Sequence, residues 1–118
     1  MTLGQLTDEI SQAVTRFEKE VMGRGPKQIN TLIKGDLIII RLEGFFSKAE
    51  KRLAREGEVE QVKRLRTLLF ENEEENFRTL IKDIVGVEID SVHSDVSTRT
   101  GEKIIILSVK KDLENMYR

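Results

Sequence analysis

The residues best suited to chemistry lie between Val92 and Glu102, where a histidine, an aspartate, an arginine and several hydroxyls occur together. His93 is the one histidine of the chain, and Asp95 follows it two residues later. Residues two apart on a strand point to the same face, so Asp95 could hydrogen-bond the imidazole of His93 and orient it as a general base. Arg99 offers a fork of donors that suits an anion.

The hydroxyls in this stretch allow two interpretations. They belong to Ser97, Thr98 and Thr100. Together with Arg99 they could line a small anion or phosphate site. Serine, threonine and aspartate also bond neighbouring amides in turns, and Gly101 can supply a positive φ before the next strand. We favour the hairpin-loop interpretation, because every residue of the stretch has a role in turn chemistry.

A second candidate site follows the first predicted helix and comprises Arg24, Gly25 and Lys27. Its glycines and cations could cradle an anion through backbone amides. The segment is not a P-loop, because the GxxxxGK[ST] spacing is absent and the glycines follow a helix. A helix end and a turn explain the glycines and the proline, but they do not explain Arg24. A shared site with His93 and Arg99 requires the two loops to meet in space.

Neither candidate completes a catalytic or metal-binding set. With no cysteine and one histidine, the chain lacks the ligands of a transition-metal site. A general base needs a nucleophile or a substrate proton within hydrogen-bond reach, and the sequence identifies neither. We therefore expect no cofactor, no metal and no catalytic residue, and we keep an enzyme with His93 as general base as the less favoured alternative.

Length and composition predict a soluble single domain over residues 1–118, and the absence of cysteine allows the cytoplasmic location that we expect. The sequence is 38% hydrophobic and 35% charged, with a formal net charge of −1. This balance gives no general field for nucleic acid or an anionic membrane. We expect neither a signal peptide nor direct membrane insertion, because no apolar run approaches the roughly 20 residues that span a bilayer. Basic residues recur on the predicted middle helices, and interleaved glutamates favour a solvated helix face; they are Lys48, Lys51, Arg52, Arg55, Lys63, Arg64 and Arg66.

Hydrophobic periodicity predicts the elements that position these residues. A first helix is expected to begin at Thr7 as N-cap and to end near Gly23. Residues 28–42 are predicted to form a hairpin through a type II′ turn at Gly35-Asp36, pairing Ile33 with Ile38. That register gives a core face with Ile29, Thr31, Ile40 and Leu42.

The second half of the chain is predicted to contain two helices and two strands. Ser47 and Glu50 have capping-box spacing for a short helix. After Gly57 one long helix is expected to run to Gly86. Its apolar stripe comprises Val62, Leu65, Leu69, Phe77, Leu80, Ile81 and Ile84, with an interruption at Glu73. Residues 87–96 and 103–109 form the last strands, and the charged tail either adds a helical turn or frays.

The predicted fold is α+β, with a layered antiparallel four-stranded sheet and helices in the order α-β-β-α-α-β-β. Four apolar residues fall on the second face of this sheet: Leu37, Ile39, Ile104 and Ile106. Either helices on both faces or a second subunit must cover them. We expect a homodimer.

Two motifs carry a family resemblance. Residues Phe17–Pro26, FEKEVMGRGP, and Ser91–Glu102, SVHSDVSTRTGE, resemble those of a small bacterial family named after MpsC, part of a sodium-translocating, membrane-potential-generating system. The resemblance covers about Gln5 to Asn115. It implies membrane transport partners in cation or inorganic-carbon supply, for which this chain would be a soluble accessory or regulatory protein acting by protein contact. No catalytic residues carry over. The alternative is a small-anion or nucleotide sensor that uses the loops Gly23–Pro26 and His93–Gly101.

Overall fold

The computed structural model describes residues 1–44 and 46–118. Within these ranges the elements are α1 (Leu3–Glu20), β1 (Gln28–Lys34), β2 (Leu37–Glu43), α2 (Lys48–Arg55), α3 (Val59–Asn72), α4 (Glu74–Val85), β3 (Ile89–Ser97), β4 (Glu102–Val109) and α5 (Leu113–Met116). The α+β class and the four-stranded antiparallel sheet are confirmed.

The sheet has the strand order β1-β2-β4-β3, so the two hairpins meet through their second strands. The predicted register of the first hairpin is confirmed, with Ile33 opposite Ile38. Gly35 has φ +59°, and no non-glycine residue in the described ranges has positive φ. Asp36 therefore has the negative φ of a type II′ turn and not the positive φ of type I′. Pairing of β3 with β4 shifts between Ile89 and Ser91, which leaves Asp90 out of the ladder as a bulge.

The core lies between one face of the sheet and the helices α1, α3 and α4. The sheet contributes Ile38, Ile40, Leu42, Ile105 and Leu107, all fully buried. At the centre, the Phe77 ring lies edge-on to Phe17 and Phe70, with ring centroids 5.2 and 5.3 Å away. Contacts of this geometry add to the free energy gained from burial alone.

Among the described residues no helix packs on the other face of the sheet, which makes helices on both faces the wrong alternative. We call it the open face; across the four strands its central residues are Leu32, Leu37, Ile39, Ile104, Ile106 and His93. Leu32 is 61% exposed there. The apolar residues of the open face lack cover within the described parts of one chain.

The first helix starts earlier than predicted and ends near Gly23, whose φ of +95° fits the predicted left-handed helix end. It starts at Leu3, because Thr2 caps it and forms a capping box with Gln5. Thr7 lies inside the helix instead, with its hydroxyl donating to the Gly4 carbonyl. At the other end Val21 is exposed and Met22 is buried, because the chain leaves helical geometry at this point.

The single long helix expected after Gly57 is wrong, because the chain leaves helical geometry at Glu73 (φ −106°, ψ 5°) and forms α3 and α4. On α3, Arg66 and Phe70 are buried and face inward. Leu65, Leu68 and Leu69 are left 52%, 54% and 40% exposed. Their spacing puts them on one helix face, and we call them the leucine stripe. By contrast, Gly86 ends α4 in left-handed geometry (φ 77°), as predicted.

The tail forms the short helix α5, which joins the first hairpin to the rest of the domain. Leu113 is buried and donates its N–H to the Gly35 carbonyl, while Glu114 accepts from the Gly35 N–H. The Tyr117 hydroxyl donates to the Val85 carbonyl at 2.7 Å.

Candidate functional site

His93 lies in the middle of β3 on the open face, opposite Ile106. Its exposed imidazole contacts the Ser91 hydroxyl, Nε2 to Oγ 3.1 Å, and Ser91 in turn contacts Ser108 at 2.5 Å. Asp95 shares the face but bonds elsewhere, to the Val96 N–H at 2.8 Å and to Lys63 at 3.5 Å. The hydrogen bond of His93 therefore goes to a serine, and the carboxylate expected to orient its ring is engaged with other groups.

The loop between β3 and β4 has the turn chemistry that its composition indicates. The Ser97 hydroxyl accepts from the Thr100 N–H, and the Thr100 hydroxyl accepts from the Glu102 N–H, both at 3.3 Å. Gly101 has φ +72° and donates to the Ser97 carbonyl. Thr98 and Arg99 take no part in these bonds, and both line a cavity beside the loop.

This cavity lies between the β3–β4 loop and helix α2 and encloses about 470 Å³. Its cations are Arg99 from the loop and Lys51 and Arg55 from α2; its apolar lining comprises Phe46, Ala54 and Val59, and its hydroxyls belong to Thr98 and Thr100. No carboxylate lines it, and within the described residues none of the three cations makes an ion pair or a side-chain hydrogen bond. We call it the cationic cavity.

The position of α2 depends on Glu50, the one acidic residue of that helix. Glu50 completes the capping box of Ser47 and accepts two hydrogen bonds from Arg66, each 2.6 Å. Arg66 is 4% exposed, so the prediction that it belongs to a solvated basic face is wrong. Burial alone would raise the pKa of Glu50, but the bonds from Arg66 and Ser47 and the charge of Arg66 together lower it.

Arg24, Gly25 and Lys27 lie at the same end of the sheet as the β3–β4 loop, because Gln28, Glu43, Glu102 and Ser97 form one row. Three strand spacings of ~4.8 Å separate the outer strands, or about 14 Å. Arg24 is exposed and does not line the cationic cavity.

The backbone near Arg24 explains the two residues around it. A Cβ at Gly25 would lie 2.6 Å from Cγ of Lys19, so the lysine side chain lies across the glycine. Lys27 covers Gly44 in the same way and donates its N–H to the Glu43 carbonyl. The structure thus brings Thr98, Arg99 and Thr100 together with α2 around the cationic cavity. Arg24 and His93 lie outside that cavity.

Sequence reasoning missed a buried ion pair between α1 and β4. Nζ of Lys103 lies 2.8 Å from Oε1 of Glu18, and the two side chains are 1% and 0% exposed. The ammonium also lies 4.4 Å from the centroid of the Phe70 ring. Burial lowers the pKa of Lys103, and the nearby Glu18 opposes that shift. Oε2 of Glu18 is buried and has no hydrogen-bond partner among the described residues.

The hydrophobic periodicity of α1 and β4 places both charged residues on inward faces. Glu18 follows Val14 by four residues on the apolar side of α1, and Lys103 alternates with Ile105 and Leu107 on the inward side of β4. The expectation that charged residues face solvent outweighed both periodicities.

Two kinds of feature are absent from the part of the chain that the structure describes. No helix there has the length and apolarity to cross a bilayer. No group of three or more acidic or histidine side chains there could hold a metal ion.

Comparisons with known proteins identify the family. The family model described as Na+-translocating membrane potential-generating system (MpsC) matches residues 2–111. A Bacillus subtilis (strain 168) protein, described as uncharacterized protein YbcI, is 35% identical over 113 residues, which are 94% of this chain and 90% of the relative. No solved structure matches the chain. The family resemblance is thereby confirmed: this chain belongs to the MpsC family.

Proposed function

We propose that this protein is a soluble, cytoplasmic, non-enzymatic accessory or regulatory protein of a membrane ion or inorganic-carbon transport system, and that it acts by protein contact. Membership of the MpsC family, which is linked to a sodium-translocating, membrane-potential-generating system, is the observation that carries the proposal. The two uncovered apolar surfaces, the open face and the leucine stripe, support a role through contact.

The open face fits a second copy of this chain. Its apolar centre, around Ile39 and Ile106, is uncharged. One end carries Lys34, and the other end carries the carboxylates of Glu43, Glu102 and Asp95 beside Arg41, so it is acidic. A two-fold axis through the centre would bring the basic end of each copy against the acidic end of its partner. The same surface would thus complement itself in charge.

The homodimer is tested by measuring molar mass with light scattering after size exclusion. The parent is expected at twice the chain mass, and Ile39→Glu at the mass of one chain, because a buried carboxylate without a partner is costly. Leu65→Glu, on the leucine stripe, is the matched control and should remain dimeric. A monomeric parent, or equal dissociation of both variants, would contradict this arrangement.

The leucine stripe stays exposed in such a dimer, so it is available to a different partner. A photo-crosslinking amino acid at Leu68 is expected to capture an integral membrane protein of a sodium-translocating system, and the same group at exposed Gln12 is not. Deletion of the gene should lower the sodium-dependent membrane potential measured with a potentiometric dye. The accessory role fails if the potential is unchanged and crosslinks join only copies of this chain.

A further inference from the structure

We infer that the cationic cavity binds a small phosphate-bearing molecule that also carries an apolar group. Three cations converge there from two distant segments, Lys51 and Arg55 from α2 and Arg99 from the β3–β4 loop. Like charges brought together repel, and no carboxylate of the lining offsets them. An anionic ligand would supply the missing charge.

Several surface lysines pair with carboxylates, whereas among the described residues Lys51, Arg55 and Arg99 share one cavity without such a partner. Lys63, Lys82 and Lys110 each have a carboxylate partner, respectively Asp95, Glu88 and Asp90. On α2 four of the eight residues are basic, and the carboxylate of Glu50 is turned toward the buried Arg66. The charged residues that α2 presents to the cavity are therefore all cations. A neighbouring groove lined by Lys48, Lys51, Arg52 and Arg55 extends the same charge along the helix.

Hydrogen bonds from α3 hold α2 in position, which suits a preformed site. Arg66 of α3 donates two hydrogen bonds to Glu50, and its guanidinium lies 5.9 Å from the centroid of the Phe46 ring. The opposite wall is a turn closed by its own hydrogen bonds around Ser97. A ligand entering between these walls would find the cations already placed, so little binding energy goes into ordering the protein.

Size and lining define the ligand class. A volume of about 470 Å³ lies in the range of small-molecule sites, roughly 300–1,000 Å³. Arginine forks suit phosphate oxygens, and the Thr98 hydroxyl can donate to the same group. Phe46, Ala54 and Val59 form an apolar wall that inorganic phosphate alone would leave unused. A nucleotide and the phosphate-glycerol region of an anionic phospholipid both combine these features.

Isothermal titration calorimetry with the full chain tests the inference, with ATP, pyrophosphate and inorganic phosphate as soluble probes. Vesicles of phosphatidylcholine, with and without phosphatidylglycerol, test the lipid source by co-sedimentation. We expect ATP to bind more tightly than inorganic phosphate, and each interaction to weaken as salt rises. Binding to anionic vesicles without binding to soluble probes would assign the ligand to a lipid headgroup.

Arg99→Ala and Arg55→Ala should each weaken binding about tenfold or more, since a hydrogen bond to a charged group contributes this much. Both side chains are exposed and make no ion pair or side-chain hydrogen bond with the described residues, so unchanged circular dichroism and Tm are expected. Arg24→Ala is the matched control, an exposed cation outside the cavity, and should bind like the parent. No binding by any probe, or equal weakening in Arg24→Ala and Arg99→Ala, would overturn the assignment.

Discussion

Replacing Glu18 with leucine tests what the buried ion pair contributes to stability. Lys103 and Glu18 meet at 2.8 Å with almost no exposure to solvent. Leucine would leave the Lys103 ammonium in the core without a counter-charge, and such a loss costs about 3–5 kcal/mol of unfolding free energy. Replacing both partners, in Glu18→Leu with Lys103→Met, removes the uncompensated charge. The double variant should therefore lie within about 1 kcal/mol of the parent or exceed it.

Urea unfolding followed by circular dichroism at pH 7 measures all four proteins of this cycle. The two single losses of unfolding free energy are together expected to exceed the loss in the double variant by several kcal/mol, about the size of the single loss in Glu18→Leu. The reasoning would be refuted by a loss below about 1 kcal/mol in Glu18→Leu. It would equally be refuted if the single losses simply added in the double variant.

The same variants have a predicted pH dependence. Burial lowers the pKa of Lys103 below the ordinary lysine value of 10.5, to which the unfolded chain returns. Between those two values the unfolded state binds more protons, so stability rises with pH across that window. In Glu18→Leu the opposing charge is lost, so the rise should begin at lower pH. Lys103→Met should lack this component, and its persistence there would assign the rise to another group.

Three further changes test local features of the fold. Glu50→Gln should lower the free energy of unfolding by roughly 2 kcal/mol at pH 7, because it weakens the contact with Arg66. Folding lowers the pKa of Glu50, so this contribution is present above pH 4.5 and is lost as pH falls through the lower folded value. The urea midpoints of parent and variant should therefore converge in acid. Phe77→Ala should cost about 3–5 kcal/mol in urea unfolding, whereas Leu68→Ala on the exposed stripe should stay within about 0.5 kcal/mol. Gly86→Ala should lower stability by about 1–2 kcal/mol through its left-handed φ, and Gly4→Ala, in ordinary helical geometry, should not; equal effects at the two glycines would contradict the conformational explanation.

Local chemistry explains which parts of the fold were predictable. The first hairpin register follows from Gly35 and from alternation over a few residues, and the end of α4 follows from Gly86. Both depend on neighbours in sequence. The break at Glu73 depends on how α3 and α4 pack against the sheet, and a helical stripe that is nearly continuous does not reveal it. Leu65 and Leu69 are consequently exposed where the pattern indicated core.

The candidate site depended on contacts that are distant in sequence. Arg99, Thr98 and Thr100 were recognised by residue type, and their proposed partner was the loop around Arg24. Their neighbours in space are Lys51 and Arg55, on a helix whose basic residues resembled an ordinary solvated surface. What distinguishes them is the direction of Glu50 toward Arg66, sixteen residues away. The hydrophobic periodicity of one helix does not show which residue the Glu50 carboxylate pairs with.

The bulge at Asp90 and the lysine at the end of β1 influence how copies of this chain can associate. β1 and β3 are the outer strands, and an exposed strand edge can pair with a strand of another copy, which allows edge-to-edge growth into fibrils. Asp90 interrupts the β3 ladder and pairs with Lys110, while exposed Lys34 places a charge at the end of β1. Both edges are thereby protected against addition of another strand. The proposed two-fold association through the open face would close after two copies, so a sheet with an uncovered apolar face would remain compatible with a finite assembly.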